Sequence, residues 1–359
     1  MTNLPVIYAA AFLAAFACSA ALTAVVKKIA VKLNFVAHPR QDRFHKSIIP
    51  LGGGIAIFTA IALFCLTAAI CAKIGKLPFY PKEFTNKSSE LFIILACATV
   101  LFALGLWDDI KNLKPSTKLF VQFAAAFCAA YFADVRVELF IQSKIITSII
   151  SSVWIVLIIN VFNFLDNMDG ASAGIALIAT IILFFAAAMS GQLFVAGFAL
   201  LLAGSLAGFL LFNFFPASIF MGDAGSLVIG FFVAMLTLKT TYYQTGSTDK
   251  WYVVLMPLAI MALPLYDFIT VTTLRLKQGK SPFVGDTQHF SHRLKKRGLS
   301  EVQTVLTLYL ATLATGLSAI VLKIINSAFG LLVGVQIILV LAIVAILETT
   351  DKNDSTKQQ

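Results

Sequence analysis

Asn160-Val161-Phe162-Asn163-Phe164-Leu165-Asp166-Asn167-Met168-Asp169-Gly170 closes one strongly apolar run, about 144–163, and precedes another, about 171–189. Amides and carboxylates at the mouth of a hydrophobic segment are costly, and their presence marks a functional rim at a membrane surface. A helix that persisted through this stretch would project Asn163, Asp166 and Asp169, three residues apart, from one face. Two further acidic clusters, Asp108-Asp109 and Met221-Gly222-Asp223-Ala224-Gly225-Ser226, also stand at the ends of apolar runs.

The composition around this stretch excludes an ordinary soluble domain. Of 359 residues 59% are hydrophobic and only 12% charged, with a mean hydropathy of +0.91. Apolar runs near the roughly 20 residues a spanning helix needs recur at about 5–26, 51–72, 90–107, 118–133, 144–163, 171–189, 193–213, 224–240, 252–274, 303–324 and 328–347. The expected fold is all-α: a polytopic integral membrane bundle of ten or eleven transmembrane helices, one domain over 1–348 with a polar tail at 349–359. The first run lacks a basic segment before it and has Lys27, Lys28 and Lys32 after it. It reads as a retained helix with its N-terminus outside rather than a cleaved signal. Loops 27–50, 108–117, 164–170, 214–223 and 275–302 then face the cytoplasm with the tail, and that side, counting Lys118 at the edge of the second loop, receives 18 of the 27 Lys and Arg, as the positive-inside rule requires. Every dense polar cluster falls on the same, cytoplasmic side. The net charge of +10 therefore fits anionic lipid or an anionic substrate, and no nucleic acid. Cys18, Cys65, Cys71, Cys97 and Cys128 lie in or beside apolar runs without ligand-like spacing and read as small packing residues.

Each polar cluster admits a structural and a chemical reading. Asp108 and Asp109 follow a helix C-terminus, whose partial negative charge disfavours carboxylates, so they need a cation; pairing with Lys111 or Lys114 in a solvated loop is the plainer account. Asp223 suits a helix cap. The flanking Gly222 and Gly225, with Ser226, add backbone that approaches a ligand closely and aims N–H groups at an anion, which beside a carboxylate suits magnesium-bridged phosphate. Arg275 to Gly298 is basic enough to be a topological anchor, yet His289 and His292 sit at i, i+3 beside Arg293, a set suited to a pyrophosphate. Arg40, Arg43, His45 and Lys46 precede Pro50-Leu51-Gly52-Gly53-Gly54, whose glycines also suit close helix packing. Asp267 lies within an apolar segment and is a functional candidate on that ground.

Taken in order, Pro50 to Gly54, Gly105-Leu106-Trp107-Asp108-Asp109, Asn163 to Gly170, Phe220 to Ser226, Pro264 to Asp267, and Ser281-Pro282-Phe283 through Asp286, His289, His292 and Arg293 resemble the polyprenyl-phosphate N-acetylhexosamine-1-phosphate transferases. The last motif is similar to the branch that uses UDP-N-acetylglucosamine; the muramoyl-pentapeptide branch has consecutive histidines, absent here. Asn167-Met168 departs from the Gly and Ile or Leu of many relatives. The resemblance implies transfer of a sugar 1-phosphate from a UDP-N-acetylhexosamine to polyprenyl phosphate with release of UMP. It implies Mg2+, with Mn2+ as a substitute, held by Asp223 with help from Asp109, and Asp108 as a base for the lipid phosphate. Lys46, Asn163, Asp166, Asp169, His289, His292 and Arg293 would meet the substrates, and a homodimer is compatible with it. A secondary transporter, with Asp267 as its ion site, is the rival from another class.

Overall fold

The computed structural model describes residues 4–37, 48–73, 81–137, 141–240, 251–281, 289–324 and 327–349. In a bilayer each backbone polar group must be satisfied within the chain, so long apolar runs resolve into helices. The helices are α1 (Leu4–Lys32), α2 (Gly53–Lys73), α3 (Pro81–Lys111), α4 (Pro115–Phe132), α5 (Lys144–Leu165), α6 (Ala171–Met189), α7 (Leu193–Asn213), α8 (Asp223–Lys239), α9 (Met256–Ile260), α10 (Ala262–Lys277), α11 (Phe290–Lys296), α12 (Glu301–Ile324) and α13 (Ser327–Thr349). All eleven expected segments correspond to helix. By length and apolar composition eight of the described helices can cross a membrane, or nine if α9 and α10 form one broken span. α4, which is polar over its first turns, and the 17-residue α8 fall short of that measure.

The ninth segment departs most from a simple span. A 3₁₀ turn at Trp251–Leu255 leads into α9, and the chain bends by 64° before α10. Pro257 and Pro264 bracket the bend; each lacks the N–H that a continuous helix would use.

α8 is the axis of the bundle. Every side chain from Ala224 to Thr237 is buried, enclosed by α2, α3, α5 and α6, so it is apolar all round rather than amphipathic. The close approaches depend on glycine. A Cβ on Gly54 of α2 would lie 2.2 Å from the Gly225 nitrogen, and one on Gly105 of α3 would lie 2.5 Å from the Ala224 nitrogen. A two-residue antiparallel pairing, β1 (Val36–Ala37) with β2 (Ile49–Pro50), leads into α2. The first amides of α2, Gly53 and Gly54, donate to the carbonyls of Phe220 and Met221 at 2.9 Å each. The glycine run thus serves backbone packing that joins the start of α2 to the start of α8.

Alternation of helix direction brings 33–37, 48–52, 112–114, 166–170, 214–222, 278–281 and 289–300 to one end of the bundle, beside Asp108, Asp109 and Asp223 at the adjoining helix ends. Because methyl groups at Gly54 or Gly105 would meet backbone that cannot rotate away, Gly54→Ala and Gly105→Ala should each destabilise the detergent-solubilised protein by about 1–3 kcal/mol or more. Unchanged melting temperatures would show that α8 has room to spare.

Candidate active site

The acidic pair at the end of α3 divides its work. Asp109 accepts hydrogen bonds from the first two amides of α8, Asp223 N–H at 2.8 Å and Ala224 N–H at 3.1 Å. Gly222, with φ of 74°, precedes them, and a Cβ there would lie 2.6 Å from Asp109 Oδ2. The Gly225 and Ser226 amides both donate to the Gly222 carbonyl at 3.0 Å. The free N–H groups expected to meet a ligand anion are therefore already engaged, and the anion on the α8 terminus is Asp109. The apparent electrostatic misfit of carboxylates at the α3 C-terminus is relieved by the partial positive charge of the α8 N-terminus.

Asp108 faces another partner. Lys118, near the start of α4, places its Nζ 2.6 Å from Asp108 Oδ2 and 2.8 Å from Asp223 Oδ2. Asp108 Oδ1 accepts from Leu113 N–H at 2.6 Å. Asn163 Nδ2 donates to Asp223 Oδ1 at 3.1 Å and reaches Ser226 Oγ at 3.0 Å. A cavity of about 170 Å³ opens here, lined by Asp108, Asn112, Lys118, Asn160, Asn163 and Phe164 among others. Asn160 in turn donates to Gln122 Oε1 at 2.8 Å. Neither Lys111 nor Lys114 but Lys118 is the described cation partner of Asp108. Lys118 counted in the sequence only as a topological charge.

Among the described residues no three His, Cys, Asp or Glu side chains converge as a metal cluster. The two carboxylate oxygens that flank the Lys118 ammonium are hard donors, of the type and number that Mg2+ takes when phosphates complete its shell. The residues that could receive a divalent cation are thus Asp108 and Asp223, whereas the Asp109 oxygens are held by amides.

The central motif does not remain helical. α5 stops at Leu165, with Asp166 at φ −79°, ψ 45°, so Asn163, Asp166 and Asp169 do not share a helix face. Asn167 Nδ2 takes the Phe164 carbonyl at 2.7 Å and helps end the helix. Asp169 Oδ2 accepts from Ala217 N–H at 2.8 Å, while Asn213 joins Gly170 N–H (3.1 Å) to the Ile219 carbonyl (3.0 Å). These bonds fix the segment that leads to Asp223. Asp166 is half-buried and within electrostatic reach of Asp109.

The histidines arrive on the short α11. Asp267, 2% exposed, accepts from Phe290 N–H at 2.6 Å and lies 3.2 Å from His289 Nδ1. Arg275 Nη2 is 3.3 Å from His289 Nε2; a guanidinium can only donate, so Nε2 accepts and the proton sits on Nδ1, facing Asp267. The Arg275 guanidinium also stacks 4.9 Å over the Phe164 ring, and Phe164 meets His289 edge-on at 5.7 Å. The wall of the cavity therefore continues to α11. Arg293, expected to clamp a phosphate, instead directs Nε and Nη2 to Glu348 Oε2 at 3.0 and 2.7 Å, and Tyr266 donates to Oε1 at 2.6 Å. His292 is buried, and burial first, then the charges of His289, Lys296 and Lys295, lower its pKa from 6.5 to about 4. At neutral pH it offers an uncharged imidazole, not a cation. Lys46 and Asp286 lie outside the described residues.

Residues 91–241, which run from α3 through α8, match the family described as Glycosyl transferase family 4. A probable undecaprenyl-phosphate N-acetylglucosaminyl 1-phosphate transferase of Bacillus subtilis (strain 168) is 29% identical over 84% of this chain and 81% of its own length. Undecaprenyl-phosphate alpha-N-acetylglucosaminyl 1-phosphate transferases of Yersinia pestis and Escherichia coli (strain K12) are 27% and 26% identical, over 85% and 79% of this chain and 81% and 76% of their own lengths.

Two outcomes follow from this geometry. Asp109→Ala strips two amides of their acceptor and should cost about 1–3 kcal/mol of thermal stability, whereas Asp109→Asn, which keeps an acceptor, should cost less; equal melting temperatures for all three proteins would remove the cap. The folded pKa of His292 is depressed, so the unfolded chain takes up its proton first. The stability contributed is full above about 6.5 and is lost as pH falls towards 4. His292→Gln should make the melting temperature fall less steeply over that window; parallel profiles would show that His292 does not set it.

Proposed function

We propose that this chain, whose residues 91–241 match glycosyl transferase family 4, transfers N-acetylglucosamine 1-phosphate from UDP-N-acetylglucosamine to undecaprenyl phosphate. A lipid phosphate oxygen attacks the sugar-bearing phosphorus of the donor. The bridging bond to the uridine-bearing phosphate breaks, and UMP leaves with that bridging oxygen. The carrying observation is the convergence of Asp108 and Asp223, from two different helices, on one cationic centre beside Asn163 at the end of a membrane bundle. Lipid and nucleotide substrates have to meet at such an end.

Phosphoryl transfer of this kind needs positioning and charge neutralisation more than covalent help. Asp108 and Asp223 would hold Mg2+, which supplies neutralising charge to the donor phosphates. Lys118 adds a second cation between the same carboxylates, and Asn163 orients Asp223. Asp108 serves as a counter-ion here. Both of its oxygens are engaged, and a phosphate monoester, with a second pKa near about 6, is largely ionised at neutral pH without a base. Asp109 is a positioning residue that sets the α8 terminus. His289 and His292 stand on the donor side, at the far end of the Phe164 wall.

The bias of Lys and Arg supports a cytoplasmic orientation of the motif end, and a plasma-membrane location follows from the proposed lipid substrate. The transporter alternative loses its main support, because Asp267 is spent on α11 rather than presented to an ion path. The muramoyl-pentapeptide donor is separated by substrate competition.

Purified protein with Mg2+, UDP-N-acetylglucosamine and undecaprenyl phosphate should release UMP, and Asp223→Asn should lower the rate by about 100-fold or more while leaving the fold intact. Undiminished UMP release from that variant would sink the assignment. A cysteine at the exposed Ser281 should react with an impermeant thiol reagent only from the cytoplasm, and one at the exposed Gln142 only from outside; labelling of both from one side would break the orientation.

A further inference from the structure

Helix α11 presents His289 and His292, and it is gripped from several directions. Asp267 of α10 holds its start, Glu348 of α13 holds Arg293, and Glu301 of α12 pairs with Lys295. These three acids belong to elements that carry none of the acidic cluster. From the cluster's side the reach is made by Asn167, in the turn between Asp166 and Asp169. Ser291 Oγ donates to Asn167 Oδ1 at 2.7 Å, and Ser291 is only 3% exposed.

The orientation of the amide is dictated by its partners. The Phe164 carbonyl can only accept, so Nδ2 faces it, at 2.7 Å, and Oδ1 is left to receive the hydroxyl. One side chain therefore ends α5 and joins that end to α11. A glycine at position 167 would offer neither group. The link lies beyond the last residue of α5, and α11 is outside the membrane-spanning helices. A link beyond the spans lies towards the cytoplasm in the orientation that the Lys and Arg bias supports, and a water-soluble nucleotide sugar arrives from there.

We propose that Asn167 and Ser291 form a positioning clasp that fixes the histidine pair of α11 against the acidic turn and thereby sets the affinity for the nucleotide-sugar donor. This rests on the transferase function proposed above. Neither residue touches a reacting atom; both act through the placement of His289 and His292.

The test is a double-mutant cycle of Asn167→Gly, Ser291→Ala and the pair, read as UMP release and, separately, as amide hydrogen exchange across 289–296 in the ligand-free protein. Each single variant should raise the KM for UDP-N-acetylglucosamine about threefold to tenfold, the weight of one or two hydrogen bonds. The KM for undecaprenyl phosphate and kcat should stay within about twofold, and the double variant should be no worse than the worse single one. Effects that multiply, or an equal rise in both KM values, would overturn the clasp. Exchange in α11 should quicken in all three variants, and unchanged exchange would overturn it as well. Absence of UMP release from the wild-type protein would defeat the transferase function instead, and the exchange measurement then decides the clasp alone.

Discussion

The bond between the Asp109 carboxylate and the first amides of α8 is the constraint from which the rest of the site is built. α8 is enclosed on every side, so water cannot satisfy its terminal N–H groups, and an acceptor has to come from the chain. Asp109 supplies it, and this requires Gly222 to lack a side chain and Gly105 to let α3 lie against α8. Successive residues on a helix point about 100° apart. Once Asp109 faces α8, Asp108 has to face elsewhere, and it faces Lys118.

The division of labour follows from charge. Asp109 is matched by a helix terminus and is spent on structure. Asp108 and Asp223 share one ammonium, which leaves the pair with an excess of negative charge at the edge of a low-dielectric medium. The proposed divalent cation would relieve that excess, and a phosphate-bearing substrate would follow it. On the opposite wall a carboxylate likewise holds a cation, Glu348 on Arg293, while Arg275 donates to His289 and Asp267 orients that imidazole.

The helices were legible because a span needs only length and apolar content, and both are local properties of the sequence. Helix ends were less so. Asn163, Asp166 and Asp169 have helical spacing, but Asn167 competes for the Phe164 carbonyl and ends α5 among them, a local choice that periodicity does not register. Asp108, Asp109 and Asp223 could be nominated from their places at the ends of apolar runs, but the separate duties of Asp108 and Asp109 could not, since these depend on what lies beside α3 in space. Lys118 looked like one more positive-inside charge. Glu348 fell one residue beyond the last apolar run and looked like the start of a tail; an acid that close to a span, with a basic loop elsewhere to match, was the available signal.

Glu348 makes the mooring of α11 depend on the last described helix. Its carboxylate comes from the last described helix, while Arg293 and Tyr266, which it binds, precede it by 55 and 82 positions. During synthesis the ribosome delivers the acidic centre on α3, α5 and α8 first, then α11 with its cationic side chain exposed to water, and the matching carboxylate only when α13 enters the bilayer. Before that point Arg293 lacks the carboxylate that it meets in the complete bundle. One of the holds on α11 is therefore completed only by the last described helix, whereas those from Asp267 and Glu301 come from elements earlier in the chain.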